Sequence, residues 1–318
     1  MRNSNHRIVE TLEARRLFNG AYQDANGLIH ATGTPRGDTI FVRISISYAG
    51  VSQSPKTVDV KINDNPYVSF PFGSASGVEV HGGAGRDKII CEGEGFLFPD
   101  SHAKAMPLRF VGGRGDDTMY GAGKGNIVLV GNGGNDFLTV LPQTTGNATM
   151  YGCAGNDQLT SATAAATGGY LLSGGPGDDV LEGGHGDDTL LGGEGDDGIY
   201  GGDGDNLIFA GAGHDSVNEL NWEDGGAGHT GNDAIFGGSG DDWLNGKSGS
   251  DLLVGGAGTD SIDSYDGNDT LWGGTGADEL NGGAGSNAVH DREMPGLAQL
   301  LAQIKSKLPA DVQADVTA

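Results

Sequence analysis

The sequence predicts an all-β repeat protein that ends in a short helix, and three observations predict it. A nine-residue phrase recurs without interruption from 174 to 290, a span of 117 residues that holds 13 copies. The eighth position of the phrase is aliphatic in almost every copy, and leucines recur at helical spacing after residue 296. One copy is too small to bury a core, so the copies must stack on one another to form it.

Each position of the phrase has a physical role. The first copy reads GGPGDDVLE and starts at Gly174. Glycines at positions one, two and four permit positive φ and close backbone approach, and an acidic residue at position six closes the turn. Positions seven to nine form a three-residue strand whose central side chain points inward. The predicted inward residues are Leu181, Leu190, Ile199, Ile208, Val217, Ile235, Leu244, Leu253, Ile262, Leu271, Leu280 and Val289.

The phrase G-G-x-G-x-D-x-U-x resembles the hemolysin-type calcium-binding repeat of the RTX family across 174 to 290. The resemblance implies a right-handed parallel β-roll in which two units make one 18-residue turn, with Ca²⁺ between turns on each flank. It also implies that position-six carboxylates and turn carbonyls bind multiple Ca²⁺ ions, which take about six to eight oxygen ligands. The candidate metal residues are Asp87, Asp117, Asp136, Asp157, Asp179, Asp188, Asp197, Asn206, Asp215, Asp233, Asp242, Asp251, Asp260, Asp269 and Asp278.

An unbroken repeat predicts two columns of position-six residues, because alternate units fall on the same flank. The first column would contain Asp179, Asp197, Asp215, Asp233, Asp251, Asp269 and Asn287. The second would contain Asp188, Asn206, Asp224, Asp242, Asp260 and Asp278. The unit that holds Asp224, ELNWEDGGA, lacks both the glycine turn and the inward aliphatic residue. Since calcium affinity rises with ligand charge, we expect the first column to bind calcium at lower concentration and Asp233→Ala to cost more than Asp188→Ala.

Composition restricts the class of partner. The chain has a net charge of −25, and the span from 174 to 290 carries 24 acidic residues against a single lysine, Lys247. Repulsion among these acidic side chains opposes compaction of the repeats, so the repeats are expected to need bound cations. For the same reason nucleic acid, which is also an anion, is not expected as a partner. The sequence does not decide whether Cys91 and Cys153 form a disulfide. No run of 18 apolar residues occurs, so no transmembrane helix is expected.

The first 20 residues are predicted to be an export-type or disordered segment. They contain four arginines but no apolar stretch of a standard signal peptide. TLEARRL, at 11–17, resembles a short motif near the start of many exported bacterial proteins. A disordered N-terminus remains the alternative.

Residues 21–81 alternate as strands do, at 39–46, 58–62 and 77–80. They are predicted to lead into the stack and to shield its N-terminal edge. Residues 82–173 read as degenerate repeats that continue the solenoid, held more by packing than by metal. In that part the residues assigned to position six without an acid are Asn126, Ala148 and Tyr170.

The tail, 291–318, is predicted to form an amphipathic helix from 297 to 308 that ends before Pro309. Two interpretations remain open. A helix here could cap the last rung of the stack, as every solenoid requires. RTX proteins also commonly carry an uncleaved C-terminal secretion signal in this place.

No catalytic site is expected, because the histidines are scattered and no H-E-x-x-H motif occurs. The leading hypothesis is a secreted or cell-surface calcium-binding structural protein that folds outside the cytosol and contacts surface or matrix glycans or proteins. The alternative is an accessory or catalytic protein acting on extracellular polysaccharide, since similar repeats accompany polysaccharide epimerases. Trp222, Trp243 and Trp272 could stack on sugars if they shared one face, with packing as the alternative. A pore-forming toxin is disfavoured because its long hydrophobic segment is missing.

Overall fold

The computed structural model describes residues 20–45, 57–92, 105–123, 125–142, 144, 146–161, 169–218, 231–310, 312–313 and 316. The N-terminal segment, most of the 91–111 insertion and the whole unit ELNWEDGGA, with Trp222 and Asp224, lie outside the described residues.

The described strands, numbered along the chain, form two 13-stranded sheets and one small sheet. Sheet A contains, in spatial order, β1 (Ala21–Gln23), β2 (Leu28–Thr32), β6 (Gly77–Ala84), β8 (Leu108–Arg114), β10 (Ile127–Gly133), β12 (Ala148–Ala154), β14 (Leu171–Pro176), β16 (Thr189–Glu194), β18 (Leu207–Ala212), β20 (Ala234–Ser239), β23 (Leu252–Ala257), β26 (Thr270–Thr275) and β29 (Ala288–His290). Sheet B contains, in spatial order, β27 (Glu279–Asn281), β24 (Ser261–Asp263), β21 (Trp243–Asn245), β19 (Ser216–Asn218), β17 (Gly198–Asp203), β15 (Val180–His185), β13 (Gln158–Ser161), β11 (Phe137–Val140), β9 (Thr118–Gly121), β7 (Lys88–Glu92), β3 (Thr39–Ser45), β4 (Thr57–Ile62) and β5 (Val68–Pro71). The small sheet contains β22 (Ser248–Gly249), β25 (Asp266–Gly267) and β28 (Ala284–Gly285).

From β6 onwards, apart from the short strands of the small sheet, the chain alternates between sheets A and B, and each strand pairs in parallel with the strand one turn away. Leu190 in β16 pairs with Leu172 in β14 and with Ile208 in β18. The inward side chains form one continuous core, in which Leu181, Leu190 and Ile208 are fully buried. The predicted all-β class and parallel β-roll architecture are therefore confirmed.

The N-terminal strands predicted from alternation are present as β3, β4 and β6. Both long sheets end on this side in antiparallel strands: β1 pairs antiparallel with β2, and β4 pairs antiparallel with both β3 and β5. A change from parallel to antiparallel pairing stops the repeat, which covers the edge that a parallel stack would otherwise leave open.

The degenerate repeats continue the stack, as expected, but one register differs from the prediction. Ile127 pairs with Ala148 and with Leu108, so Ile127 and not Asn126 is equivalent to position six. Leu129 then points inward and is fully buried, while Val128 is half-buried. A one-residue slip exchanges the two faces of a strand, and burial of Leu129 decides the register.

The repeat phase breaks at the unit ELNWEDGGA. Ile208 pairs with Ile235, 27 residues later, and Val217 pairs with Leu244 at the same offset. Both sheets therefore pass over one nine-residue unit, and all later units exchange flanks. The prediction of unbroken phase is wrong here, because a unit without the glycine turn or the inward aliphatic residue cannot supply a rung.

The tail folds back along the roll. Helix α1 (Leu297–Lys305) ends three residues before the predicted end at 308. Its Leu301 is 6% exposed and packs with Leu191, Phe209 and Phe236 on the outer face of sheet A. The described residues of the tail leave Val289, in the last rung, 45% exposed. They pack instead against the outward apolar residues of sheet A and remove these from water.

The structure also bears on the two cysteines and on membrane-spanning helices. Cys91 lies in β7 and Cys153 in β12, and no disulfide joins them. In the part of the chain that the structure describes, no helix is long and apolar enough to cross a membrane.

We predict that Leu301→Ala releases the tail, because it removes the buried contact of α1 at a cost of about 2 to 4 kcal/mol. The tail contains Lys305 and Lys307, so limited trypsin digestion should cleave it faster in this variant. Gln303→Ala, on the exposed side of the same helix, is the control. Equal cleavage of the two variants would show that the tail is not docked through Leu301.

Candidate metal centres

The turns between the sheets are built around oxygen atoms. In the unit that starts at Gly174, Gly175 and Gly177 have φ of 107° and 138°, which disfavour residues with a Cβ. A Cβ on Gly174 would collide with Oδ2 of Asp179 and would lie against the carbonyl oxygen of Gly192 in the next turn. Glycine at position one therefore leaves room for carboxylate and carbonyl oxygens inside the turn.

Each turn that leads from sheet A to sheet B has an aspartate at position six, and we call the row of these residues the acidic column. The N–H of Asp179 donates to Oδ1 of Asp197 at 2.8 Å, and the N–H of Asp215 donates to Oδ1 of Asp242 at 3.0 Å. The same contact links every neighbouring pair. The acidic column is Asp38, Asp87, Asp117, Asp136, Asp157, Asp179, Asp197, Asp215, Asp242, Asp260 and Asp278.

Turns that lead from sheet B to sheet A form a second row, the mixed column. The N–H of Asn206 donates to Oδ1 of Asp233 at 2.7 Å, across the skipped unit. Asp233 therefore follows Asn206 and not Asp215, so the predicted columns are wrong beyond residue 218. The mixed column is Tyr170, Asp188, Asn206, Asp233, Asp251, Asp269 and Asn287.

The second carboxylate oxygen has no donor in most of these turns. Leaving a buried carboxylate oxygen unpaired is costly, because it has lost its water. Among the described residues, a buried Oδ2 without a hydrogen-bond partner occurs in Asp87, Asp117, Asp136, Asp157, Asp179, Asp188, Asp197, Asp215, Asp242, Asp251, Asp260, Asp269 and Asp278.

Asp38, at the N-terminal end of the acidic column, is satisfied by protein groups. Its Oδ2 accepts the N–H of Thr34, and its Oδ1 accepts Nδ2 of Asn63 at 2.5 Å. Although burial alone would raise it, the hydrogen bonds from Thr34 and Asn63 hold the pKa of Asp38 below its ordinary value. Both carboxylate oxygens of Asp38 therefore have protein donors, which distinguishes Asp38 from the other aspartates of the acidic column.

Asparagine at position six shows what the turn carbonyls accept. Nδ2 of Asn206 donates to the carbonyl oxygens of Gly204 at 3.2 Å and Gly202 at 3.4 Å, and Nδ2 of Asn287 donates to that of Gly282. In an aspartate turn nothing on position six can donate to these carbonyls. The turn thus presents oxygens to a positive group, and the self-satisfied amide argues against Asn206 as a ligand.

Burial raises the pKa of the carboxyl groups in the columns. It raises the pKa of Asp179, Asp188 and Asp197 to about 8, and neighbouring carboxylates add to the rise. For Asp136 and Asp242 the same cause raises the pKa to about 7. These groups would be partly neutral at pH 7 unless a cation stabilised the charged form.

The donor set fits a hard cation. No cluster of three or more His, Cys, Asp or Glu side chains that could hold a metal occurs among the residues described. Any ion held in these turns must therefore take most of its ligands from backbone carbonyls, which suits Ca²⁺ and not Zn²⁺. The chain would supply such a site with the unpaired carboxylate oxygen of each aspartate and with the backbone carbonyl oxygens of the turns around it.

Of the 15 predicted metal residues, ten lie in the acidic column and five in the mixed column. Asp38 ends the acidic column; its spacing to Ile40 predicts a degenerate first repeat, but Asp38 is not among the predicted metal residues. A signal was present in the turn that contains Asn63, which reaches back to Asp38. The two described tryptophans do not share a face: Trp243 is 47% exposed on sheet B, whereas Trp272 belongs to sheet A and stacks on His290, with the ring centres 3.9 Å apart.

Comparison with known proteins agrees with this geometry. The sequence model of the RTX calcium-binding nonapeptide repeat, in four copies, matches residues 109–138, 171–199, 186–217, 227–262 and 254–289. RTX nonapeptide repeats bind multiple Ca²⁺ ions. No curated protein matches the chain.

The exchanged flanks make a prediction that discriminates between the two registers. Asp242 has acidic neighbours on both sides, Asp215 and Asp260, whereas Asp233 has Asn206 on one side. We expect Asp242→Asn to raise the calcium midpoint of folding about fivefold more than Asp233→Asn, for a loss of about 1 kcal/mol more. Calcium titration followed by circular dichroism measures both. A larger shift for Asp233→Asn would restore the uninterrupted phase.

The raised pKa values predict a pH dependence for the calcium-free chain. Between the ordinary pKa of 3.8 and the folded pKa of about 8, the folded chain binds more protons than the unfolded chain. This contribution to stability is fully present below pH 3.8 and is lost as pH rises through about 8. We expect β-structure to increase from pH 8 to pH 5 in calcium-stripped protein, measured by circular dichroism with light scattering as a check for aggregation.

With calcium present the same protons compete for the carboxylates, so the calcium midpoint should rise as pH falls. A calcium-free spectrum that is identical at pH 8 and pH 5 would contradict the assignment of these carboxyls.

Proposed function

The chain carries RTX calcium-binding nonapeptide repeats, and from this we propose that it is a secreted or cell-surface structural protein that folds when it binds calcium outside the cytosol. The observation that carries the proposal is the row of buried Asp Oδ2 atoms without donors, which lie beside the first glycine of the turn together with carbonyl oxygens of the next turn. Each bound ion would supply the positive charge that these oxygens lack. The low calcium concentration of a cytosol would then keep the chain unfolded until export.

We propose the position-six aspartates of both columns as the carboxylate ligands. In the acidic column these are Asp87, Asp117, Asp136, Asp157, Asp179, Asp197, Asp215, Asp242, Asp260 and Asp278. In the mixed column they are Asp188, Asp233, Asp251 and Asp269. Asp38 and Asn206 are left out, because their own hydrogen bonds already satisfy their turns.

The proposal assigns parts of the chain to different tasks. Residues 21–81 close the N-terminal end, 82–173 form rungs with one acidic flank, and 174–290 form rungs with acidic turns on both flanks. The tail, 291–318, docks on the finished roll. Before the roll folds, the apolar side chains of the tail have no sheet to pack against, so they are available to an export machinery. Deletion of 291–318, followed by an assay for the protein in the medium, tests this.

The central experiment is a calcium titration of the purified chain after chelation. We expect a largely unfolded spectrum without calcium and a gain of β-structure at about 0.1 to 1 mM Ca²⁺, the range of extracellular modules. Magnesium at equal concentration should not replace calcium, since it requires a stricter octahedral site and dehydrates reluctantly. An unchanged spectrum across the calcium titration would sink the proposal.

A further inference from the structure

The outer face of sheet B carries a group of paired cations and aromatic rings. Among the described residues, four of the six contacts between a cation and a ring lie there, across strands β3, β4, β7 and β9 and the turn before β5. We call this surface the cation–ring face and define it by Phe41, Arg43, Lys61, Tyr67, Lys88 and Tyr120.

Strand register places these side chains on one surface. Phe41 pairs with Lys61 and with Ile90, and Ile90 pairs with Tyr120. Residues directly opposite one another point the same way, so this row crosses four strands about 4.8 Å apart. The alternate residues, such as Val42, are buried in the core.

Distances show cations held beside ring faces. The Arg43 guanidinium lies 4.4 Å from the centre of the Tyr67 ring, and Lys61 Nζ lies 5.8 Å from the same centre. Lys88 Nζ lies 5.6 Å from the centre of the Tyr120 ring. Tyr67 is 38% exposed, so one partner of these contacts is open to solvent.

This face lies in the part of the chain that is not acidic. Residues 36–124 carry ten basic and ten acidic residues, whereas 125–290 carry one basic and 26 acidic residues. The carboxylate of Asp59, on the same sheet, is 7% exposed and is bonded to Arg43. Neither Lys61 nor Lys88 forms a salt bridge within the described residues, so their charges are available to an anion.

We propose that the cation–ring face binds a linear acidic polysaccharide, an inference that rests on the proposed extracellular function and names its partner. Lysine ammonium groups make charge-assisted hydrogen bonds to uronate carboxylates. Tyrosine rings offer flat apolar surfaces with a polar tip, which suits the apolar face of a sugar ring.

The distribution of charge selects this occupant over wider anionic partners. A membrane or a nucleic acid duplex extends beyond the cation–ring face and would approach the 26 acidic residues of 125–290. A single flexible sugar chain can contact this face alone.

The test uses the calcium-loaded full chain and a hyaluronan oligosaccharide as the probe, with dextran as the neutral polymer. We expect binding to hyaluronan, none to dextran, and weakening as salt rises. The double variant Lys61→Gln/Tyr67→Ala should weaken binding about tenfold. Its matched control is Lys247→Gln/Tyr265→Ala, which removes a similar pair, 4.2 Å apart, from the acidic part of the roll; binding should be unchanged.

Four results would overturn the proposal: no binding by the wild-type chain, equal loss in both double variants, no loss in either double variant, or tighter binding to anionic vesicles or single-stranded DNA. No loss in either double variant would indicate calcium bridging at the turns. Circular dichroism on every sample distinguishes failure of the polysaccharide proposal from failure of the proposed function. A chain that folds with calcium but does not bind hyaluronan rejects only the face, whereas a chain that does not fold with calcium rejects the proposed function.

Discussion

Stacking one carboxylate above another along each flank is the constraint on which this structure depends. A parallel roll places equivalent residues one strand spacing apart, about 4.8 Å. At an effective dielectric constant of 20, two charges at that distance repel by about 3 kcal/mol. The backbone N–H of each aspartate, given to the next carboxylate, offsets part of this repulsion but uses only one oxygen. Under the proposed function a divalent cation between turns would use the other oxygen, so the fold and the ion would depend on each other.

The chain also shows how the same turn is completed without an ion. Asp38 receives donors from Thr34 and Asn63, and Asn287 donates from its own amide to the carbonyl oxygen of Gly282. Ile127 and Ala148 replace the carboxylate with buried apolar side chains. Under the proposed function, the residue at position six would therefore set the calcium dependence of each turn. That dependence would increase along the chain, because only the later rungs have acidic turns on both flanks.

Much of the fold could be predicted from the sequence because burial and glycine chemistry repeat locally. Leu181 and Leu190 were identified as core residues from position eight alone, and the strands of β3 and β4 from alternation. The assignment of flanks was not accessible, since counting by nine cannot show whether a defective unit forms a rung. Skipping that unit moved Asp233 to the column of Asn206. The predicted register at Asn126 is wrong for a related reason. Val128 and Leu129 are both aliphatic, and only packing against the neighbouring turns selects Leu129 as the inward residue.

The tail position was hidden for a different physical reason. Leu191, Phe209 and Phe236 lie at outward positions of their strands. A single apolar residue at such a position is common on protein surfaces and does not predict a contact with another segment. Only the stacked register brings them into one stripe, with the rings of Phe209 and Phe236 4.9 Å apart, and a stripe of that kind requires a cover. The tail supplies the cover on sheet A, and the described residues of sheet B have none. In the proposed function the flanks of the roll would therefore serve its stability, and the open face of sheet B would be the surface left for recognition.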